Sequence, residues 1–254
     1  MRIAHYEDRG AAVGLPLRGV GPIIRCMTVR GLLRVLLVAA LAVLAVPAFF
    51  FGRAMLFPPT FDVPSIAKAP AYQDPALLEQ AWRLPVAAAF AGRVSPQRNG
   101  SLCGPASVAN IDRSLGGAAV SEAQVLSGTG KCRLFGFCVA GLTLDEVAEV
   151  ARHASGKDVR VLRELTPAAF RALLPSFNDP GRRYLVNFHR GMLFGRGVGH
   201  HSPIGGYLAE RDLVFVLDVN DHYRPWLVST DRLFSAIDTV DSSSGKKRGL
   251  LELR

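Results

Sequence analysis

Cysteine and charged residues are both scarce in this chain of 254 residues. It contains only four cysteines, which excludes the small scaffolds that depend on many disulfides. Charged residues make up 20% of the sequence and hydrophobic residues 49%, a balance that excludes a disordered or collagen-like chain. Repeats and low-complexity tracts are not evident. The length therefore indicates one or two domains that can bury a core without disulfide staples.

Acidic residues are rare at the N-terminus, so the net charge of +9 is unevenly distributed. Residues 1–60 contain seven arginines against Glu7 and Asp8, which accounts for +5, and the other 194 residues carry +4. Those 194 residues lack a basic patch interleaved with aromatic side chains, which argues against nucleic-acid binding.

An uncharged apolar run of eighteen residues extends from Val35 to Gly52 and follows Arg25, Arg30 and Arg34. A membrane span needs about 17–25 predominantly apolar residues. Positive charge before such a run places the N-terminus in the cytoplasm. We therefore expect residues 1–53 to form a basic segment and a membrane anchor, with the rest of the chain on the periplasmic or extracytoplasmic side.

A cleaved signal peptide is the competing interpretation of this segment, which would make the protein secreted to the periplasm. Val46-Pro47-Ala48 offers small residues at a cleavage site, although the run is longer than the apolar region of a usual signal peptide. Met27 could also be the true start. Residues 54–75 contain five prolines and are expected to form an extended linker before a catalytic domain at residues 76–254.

Helices are expected early in this domain and strands later, which predicts the α+β class. The helical predictions rest on apolar spacing, on prolines in first turns and on a capping box at residues 143–146. Helices are expected at 75–84, 103–115, 146–154, 168–174 and 230–238. Strands are expected at 159–162, 184–189, 213–218 and 249–253.

Cys103 lies where a helix is expected to begin, and a helix N-terminus stabilises a thiolate. A buried structural cysteine is the alternative. His200 lies in a glycine-rich turn at residues 197–206 that leads into a strand, and Asp218 ends a strand eighteen residues later. An acid that orients an imidazole, which in turn takes a thiol proton, would make Cys103 a nucleophile.

Several segments carry a resemblance to a known family: Cys-Gly-Pro-Ala-Ser (103–107), Gly-Leu-Thr-Leu-Asp-Glu (141–146), Gly-His-His-Ser-Pro-Ile-Gly-Gly-Tyr (199–207), Leu-Asp-Val (217–219) and Asp-Thr-Val-Asp with a later Arg-Gly (238–249). From about Pro96 to Leu253 the chain resembles the catalytic domain of phytochelatin synthases. These enzymes are papain-like γ-glutamylcysteine dipeptidyl transpeptidases. The chain looks like their short bacterial form, without the C-terminal Cys-rich domain of the plant enzymes.

The resemblance implies a papain-like cysteine protease fold and a triad of Cys103 as nucleophile, His200 as base and acid, and Asp218 as orienter. It also implies that Gln97 and the backbone N–H of Cys103 form an oxyanion hole; the alternative for Gln97 is a solvated loop residue. Because strand neighbours point to opposite faces, the side chain of His201 is expected to point away from that of His200.

The substrate that the resemblance implies is glutathione or its metal thiolates. Arg248 would bind the γ-glutamyl carboxylate, and Asp241 would face the ammonium; the alternative for Arg248 is a solvated residue in the run 246–248. Asn187, Gly199 and His201 are the other expected substrate-binding residues. No tightly bound cofactor is expected, and Cd²⁺ or Zn²⁺ would act as activator or as part of the substrate.

Asp221 marks a departure from the family, whose members usually have an Arg and a Lys after the triad aspartate. We therefore expect hydrolysis to be favoured over transpeptidation.

Cys132 and Cys138 are expected to form a disulfide rather than a zinc site, because their spacing does not suit zinc. Open alternatives are another exported papain-like or C39-like peptidase and a non-catalytic, membrane-tethered metal-binding module. Homodimer formation is also open.

Overall fold

The computed structural model describes residues 29–56, 60–118, 121–132, 138 and 141–254. The chain divides into two units, one that ends at Arg53 and one that runs from Ala54 to Arg254. This boundary coincides with the predicted end of the N-terminal segment. The predictions for residues 1–28, which include the start at Met27, lie outside the described residues.

The first helix, α1, spans Val29–Leu56 and includes the apolar run. Its window from Val29 to Val46 has a mean hydropathy of 2.3, and none of that window is buried. At 1.5 Å per residue the whole helix is about 42 Å long, which is enough to cross a bilayer. Length and composition fit a membrane anchor and a signal sequence equally.

Helices dominate the first half of the second unit, as predicted. Several of them begin at a side-chain cap that the sequence supplies, since Asp74 accepts from Leu77 N and Thr143 forms a capping box with Glu146. The described helices after α1 are α2 Pro75–Trp82, α3 Pro85–Ala88, α4 Cys103–Ser114, α5 Glu122–Leu126, α6 Leu144–Ser155, α7 Pro167–Leu173, α8 Arg190–Phe194 and α9 Thr230–Ile237.

A six-stranded antiparallel sheet forms the second half, which confirms the α+β class. Its order is β1-β6-β2-β3-β4-β5, so the C-terminal strand lies between two earlier strands. The described strands are β1 Val159–Arg163, β2 Arg183–His189, β3 Gly199–Leu208, β4 Leu213–Val216, β5 Trp226–Ser229 and β6 Gly249–Leu253. Three-residue to five-residue 3₁₀ turns occur at Ile66–Lys68, Leu174–Asn178 and Ala209–Arg211.

Both faces of the sheet are covered, and each has its own hydrophobic core. One face packs against α2 to α6, where Ile111 and Val147 are buried with Leu185 of β2. The opposite face packs against α7 and α9, where Phe170 and Leu233 are buried with Val186 of β2. A strand covered on both faces is apolar on both, which explains the near-continuous hydrophobic runs in the sequence.

Two predictions of local structure need correction. Strand β4 ends at Val216 rather than Asp218, although Leu217 N still donates to Pro203 O of the neighbouring strand at 2.9 Å. The proline-rich segment predicted as an extended linker packs in part on the domain: Phe61 N donates to Gly195 O at 2.8 Å, and Ile66 is buried. Apolar side chains between the prolines provide the reason for this packing.

Candidate active site

Cys103 is the first residue of α4, as the sequence predicts. Its side chain is buried, and the partial positive charge of the helix N-terminus lies beside it. Gly104 lets α6 approach this turn closely, because a Cβ built there would lie 2.6 Å from Cγ2 of Val147. The packing of α4 on α6 therefore holds the thiol at a defined place against the sheet.

His200 and Asp218 meet, as the sequence analysis expects of a base and its orienter. Nε2 of His200 lies 3.0 Å from Oδ1 of Asp218, and both side chains are buried. His200 comes from the start of β3, and Asp218 follows the end of β4, the neighbouring strand. Adjacent strand ends thus bring together two residues that are eighteen positions apart.

Asp218 accepts three further hydrogen bonds that the sequence analysis did not identify. Nη2 of Arg190 and the backbone N of Asn220 donate to Oδ1 at 2.8 and 2.9 Å, and Nε1 of Trp226 donates to Oδ2 at 2.8 Å. Burial would raise the pKa of Asp218, but the charges of His200 and Arg190 hold it well below its usual value. The carboxylate is therefore ionised and fixed in orientation.

Arg190 is held by aromatic rings as well as by Asp218. Its guanidinium carbon lies 3.8 Å from the ring centroid of Tyr223, and the rings of Phe188 and Phe194 lie at 5.5 and 5.7 Å. The sequence offers a weak signal for this residue, because an arginine directly follows the strand predicted at 184–189.

The electrostatics of the site favour a thiolate and an imidazolium. Burial alone would raise the pKa of Cys103, yet the charge and hydrogen bond of His200 and the smaller contribution of His201 bring it well below the usual value. Burial and Arg190 lower the pKa of His200, but Asp218 and Cys103 outweigh them and raise it. The thiolate is the reactive form of cysteine, so this arrangement activates Cys103.

His201 also reaches Cys103, although its side chain meets Asn187 of β2 whereas that of His200 meets Phe188. Nδ1 of His201 lies 3.7 Å from Sγ of Cys103, and the Nε2 atom lies 2.8 Å from Nδ2 of Asn187, the residue opposite on β2. Strand alternation sets the direction in which each side chain leaves β3. Helix α4 lies across this strand, and Ser107 Oγ of the helix donates a hydrogen bond to His201 O. The helix start is therefore within reach of both histidines.

Gln97 does not contact Cys103 in the described part of the chain. Its backbone N donates to Val219 O at 2.8 Å, and its Nε2 donates to Asn99 O at 2.7 Å. Its Oε1 is buried and has no hydrogen-bond partner among the described residues. Gln97 is thus a half-buried residue tied to the segment after Asp218, and its role in an oxyanion hole stays a prediction.

Arg248 is not one more solvated base of the run 246–248. It is 5% exposed, and its Nη1 lies 3.7 Å from Oδ1 of Asp241. By contrast, Lys246 and Lys247 reach outward to Asp145 and Asp238. Burial lowers the pKa of Arg248, and Asp241 partly opposes that effect.

The strand register explains why Arg248 lies beside the histidines. Asn187 of β2 pairs with His201 on one side and with Gly249 on the other, so Arg248 comes just before this row. A Cβ built on Gly199 would lie 2.8 Å from Nη2 of Arg248, so the guanidinium covers the residue before His200. The five predicted substrate-binding residues therefore lie in one region around the start of β3.

The other described cysteines and histidines have structural partners or are exposed. Cys132 and Cys138 form the predicted disulfide, and Cys138 N donates to Ser101 Oγ near the start of α4. His153 bonds to Ser127 O, and His222 is exposed. No group of three or more His, Cys, Asp or Glu side chains suited to a metal ion occurs in the described parts of the chain.

Comparison with known families decides the membership of this chain. The family model described as phytochelatin synthase matches residues 72–250, well over half of the chain. The chain belongs to the phytochelatin synthase family. This match covers the whole constellation of Cys103, His200, Asp218 and Arg248, as well as most of the elements that place it.

Curated relatives in this family come from plants. Glutathione gamma-glutamylcysteinyltransferase 3 of Lotus japonicus is 39% identical over 117 residues, which cover 44% of this chain and 24% of the relative. Glutathione gamma-glutamylcysteinyltransferase 1 of Arabidopsis thaliana is 36% identical over 115 residues, with the same shares of 44% and 24%. The chain thus spans about a quarter of the length of the curated relatives it matches.

Two solved structures of peptidases are similar to this phytochelatin synthase family member at low identity. The peptidase domain of Streptococcus ComA, a bi-functional ABC transporter, is 18% identical with a TM-score of 0.43, and the match covers 62% of this chain and 93% of that domain. A putative C39-like peptidase from Bacillus anthracis is 11% identical with a TM-score of 0.46, and the match covers 64% and 94%.

Proposed function

We propose that this chain is a thiol enzyme that cleaves the Cys–Gly bond of glutathione through a γ-glutamylcysteinyl thioester on Cys103. The observation that supports it most is the buried Cys103, whose pKa is lowered beside His200, with Asp218 behind that imidazole. Family membership and the relatives named glutathione gamma-glutamylcysteinyltransferase support the choice of glutathione.

Acylation starts with attack of the Cys103 thiolate on the carbonyl carbon of the Cys–Gly bond. The imidazolium of His200 then gives its Nδ1 proton to the glycine nitrogen, so that the C–N bond breaks and glycine leaves as an amine. Asp218 accepts from Nε2 of the same ring, which fixes the orientation of the imidazole and stabilises its charged form.

Deacylation uses the same groups in reverse. Neutral His200 takes a proton from water, the hydroxide attacks the thioester carbonyl, and the Cys103 thiolate leaves with γ-glutamylcysteine released. Oxyanion stabilisation is assigned to the backbone N–H of Cys103, because the first amides of a helix lack partners within it, and to Gln97. Loss of one such donor typically costs about 10²–10³ in rate.

The γ-glutamyl end of the substrate is assigned to Arg248 and Asp241. This end carries both a carboxylate and an ammonium, and the structure holds an arginine and an aspartate 3.7 Å apart with little exposure. Two nitrogens of Arg248, Nε and Nη1, have no hydrogen-bond partner among the described residues. Buried donors without partners are costly, and a substrate carboxylate that accepts from the guanidinium would lower this cost.

Hydrolysis rather than transpeptidation is the proposed outcome, because of the groove beside Asp218. This groove has a volume of about 550 Å³, and Arg93, Asp221 and Arg224 line it together with Trp82 and Val94. A second, anionic glutathione would meet the carboxylate of Asp221 there, which offsets part of the positive charge of the two arginines. Water meets no such repulsion.

Product analysis on the purified protein tests this proposal. With glutathione, and with Cd²⁺ or Zn²⁺ in parallel samples, we expect equal amounts of glycine and γ-glutamylcysteine and a protein mass increased by one γ-glutamylcysteinyl group. Cys103→Ala serves as the control without a nucleophile. Abundant (γ-Glu-Cys)n-Gly would overturn the preference for hydrolysis, and release of neither product would overturn the enzymatic proposal. Cleavage of ordinary α-peptides in place of glutathione would instead support the peptidase alternative.

We also propose that α1 anchors the enzyme with its catalytic domain on the periplasmic side. Arg30 and Arg34 at the start of the helix, together with the exposed apolar window, support this orientation. A C-terminal alkaline phosphatase fusion should be active, whereas an inactive fusion would contradict the orientation. The mass of the mature protein distinguishes an intact anchor from cleavage after Ala48, and light scattering distinguishes a monomer from a homodimer.

A further inference from the structure

Two imidazoles act on the thiol of Cys103, although the proposed mechanism uses only one of them. The approach at 3.7 Å is made by Nδ1 of His201, whereas His200 exerts the larger electrostatic effect on the thiol. His201 is 3% exposed, so water does not compete strongly for this contact. A buried imidazole placed against a nucleophilic sulfur needs a chemical role of its own.

The orientation of the Asn187 amide determines which nitrogen of His201 carries the proton. Nδ2 of Asn187 lies 2.8 Å from Nε2 of His201 and 3.4 Å from His200 O. In the orientation that the structure gives, the NH₂ group donates to His200 O and directs its second proton at His201, while Oδ1 of Asn187 is buried without a partner among the described residues. The Nε2 atom of His201 therefore accepts, and in the neutral ring the proton resides on Nδ1.

We propose that His201 is a second catalytic residue, a neutral imidazole whose Nδ1–H donates a hydrogen bond to Sγ of Cys103 and holds it as a thiolate. Asn187 is its positioning residue, because the amide NH₂ selects this tautomer. No covalent bond changes at His201: the proton that glycine receives still comes from His200. This inference rests on the proposed use of Cys103 as the nucleophile.

The N–H donor of His201 assists the reaction at the steps in which the sulfur of Cys103 carries negative charge. The thiolate is present before attack and again when sulfur leaves the thioester, and a stabilised thiolate is the better leaving group. The cost is some intrinsic nucleophilicity, which falls as a thiol becomes more acidic. His201 is thus expected to favour deacylation, the step that a hydrolase must complete with water.

The pH at which the Cys103 thiol ionises measures this hydrogen bond, provided that the other groups around the sulfur stay in place. On the sheet side these groups are His200, with Asp218 and Arg190 behind it, and His201 with Asn187. On the helix side the thiol meets the N-terminus of α4. Substitution of His201 leaves the ion pair of His200 and Asp218 in place, so the change in the titration measures the contribution of His201.

The test is the rate of Cys103 alkylation by iodoacetamide as a function of pH, with the full chain in detergent and no glutathione present. We expect His201→Phe to move the midpoint up by about one pH unit, as loss of a hydrogen bond to a charged group implies. His201→Gln, which keeps an N–H donor, should move it by less than half as much. His153→Phe is the matched control on an exposed histidine and should leave it unchanged.

The tautomer of His201 is a second, independent measurement, made on the wild-type protein, with a variant used only to assign the signals. Nitrogen-15 spectra of histidine-labelled protein should show Nδ1 protonated and Nε2 unprotonated, with the signals assigned by their absence in His201→Gln. An unchanged alkylation midpoint in folded His201→Phe, or a proton on Nε2, would overturn the inference. Because alkylation does not involve glutathione, either result leaves the proposed substrate untouched.

Discussion

The surroundings of Asp218 and those of Arg248 differ in how completely their polar atoms are bonded. Both oxygens of Asp218 accept hydrogen bonds, four in total, from His200, Arg190, Asn220 and Trp226. Around Arg248, by contrast, Nε and Nη1 lack partners in the described part of the chain. The carboxylate of Asp218 is therefore fully bonded without a ligand, although one nitrogen of Arg190 behind it, Nη1, lacks a partner among the described residues, whereas two nitrogens of Arg248 do.

This difference separates two requirements of a thiol enzyme. The groups that orient His200 must be in place before the reaction, since reorganising them would add to the barrier. Groups that recognise a zwitterionic substrate must remain available for it, which leaves them incompletely bonded in its absence. The predictions below test whether the two regions separate in this way.

Removal of the nucleophile should have the largest effect. Cys103→Ala deletes the proposed nucleophile, so glycine release should fall by at least about 10⁴-fold, towards the background that binding alone supports. Glutathione binding should persist, because Arg248 and Asp241 are intact. Calorimetry with glutathione and the release assay measure the two effects, and a variant that retained activity would exclude Cys103 as the nucleophile.

Asp218→Asn should lower kcat by about 10³–10⁴-fold with little effect on KM, because the orienting charge is lost while the shape of the side chain is kept. Steady-state kinetics and circular dichroism of the same sample separate a catalytic effect from unfolding. The matched control is Asp231→Asn, an exposed aspartate paired with Arg171, which should behave like the wild type. A main effect on KM would contradict the division between the two regions.

Arg248→Met should act in the opposite manner and raise KM by about 10- to 100-fold with a smaller change in kcat, since it removes hydrogen bonds to the substrate carboxylate. Lys247→Met is the control from the same basic run. If both variants changed KM equally, net charge rather than a defined carboxylate site would explain the effect.

The pH profile of kcat/KM should be bell-shaped. The ion pair of Cys103 and His200 should move its acidic limb to lower pH and its alkaline limb to higher pH. Below the lowered pKa of Cys103 the thiol is protonated, and above the raised pKa of His200 the imidazolium is lost, each with about a tenfold loss per pH unit. The acidic limb should therefore lie well below the value of about 8.5 for a free cysteine. Asp218→Asn should shift the alkaline limb to lower pH, because Asp218 raises the pKa of His200.

Asp221→Arg should have the smallest effect, a change of a few-fold in the ratio of oligomeric product to γ-glutamylcysteine. The substitution makes the groove beside Asp218 more positive while the triad remains intact. Chromatography of products at high glutathione concentration measures this ratio. An unchanged ratio would show that charge in this groove does not control the choice between water and a second glutathione.

Much of the fold is predictable from local patterns in the sequence. The Pro75 helix, the capping box at Thr143 and the strand at Gly249 follow from propensities and periodicity that act over a few residues. Strand β5 was missed: it is only four residues long and follows the turn at Asn220. Short apolar strands carry little periodic signal.

The candidate site is predictable to a lesser degree. The pairing of His200 with Asp218 was expected from the resemblance and from neighbouring strand ends, and the structure places them 3.0 Å apart. The donors Arg190 and Trp226 were not found, because no local pattern links them to Asp218. The burial of Arg248 was also open, since its neighbours in sequence are exposed or half-buried lysines.

The sequence by itself determined the apolar helix, the α+β order of elements and the helix start at Cys103. These properties depend on hydrophobic patterning and capping, which are local. Only the tertiary structure decided that His201 reaches the same sulfur as His200, and that Asn187 orients it. The reason is that the position of a helix start relative to a strand depends on how α4 packs across β3, and this packing involves residues nearly one hundred positions apart.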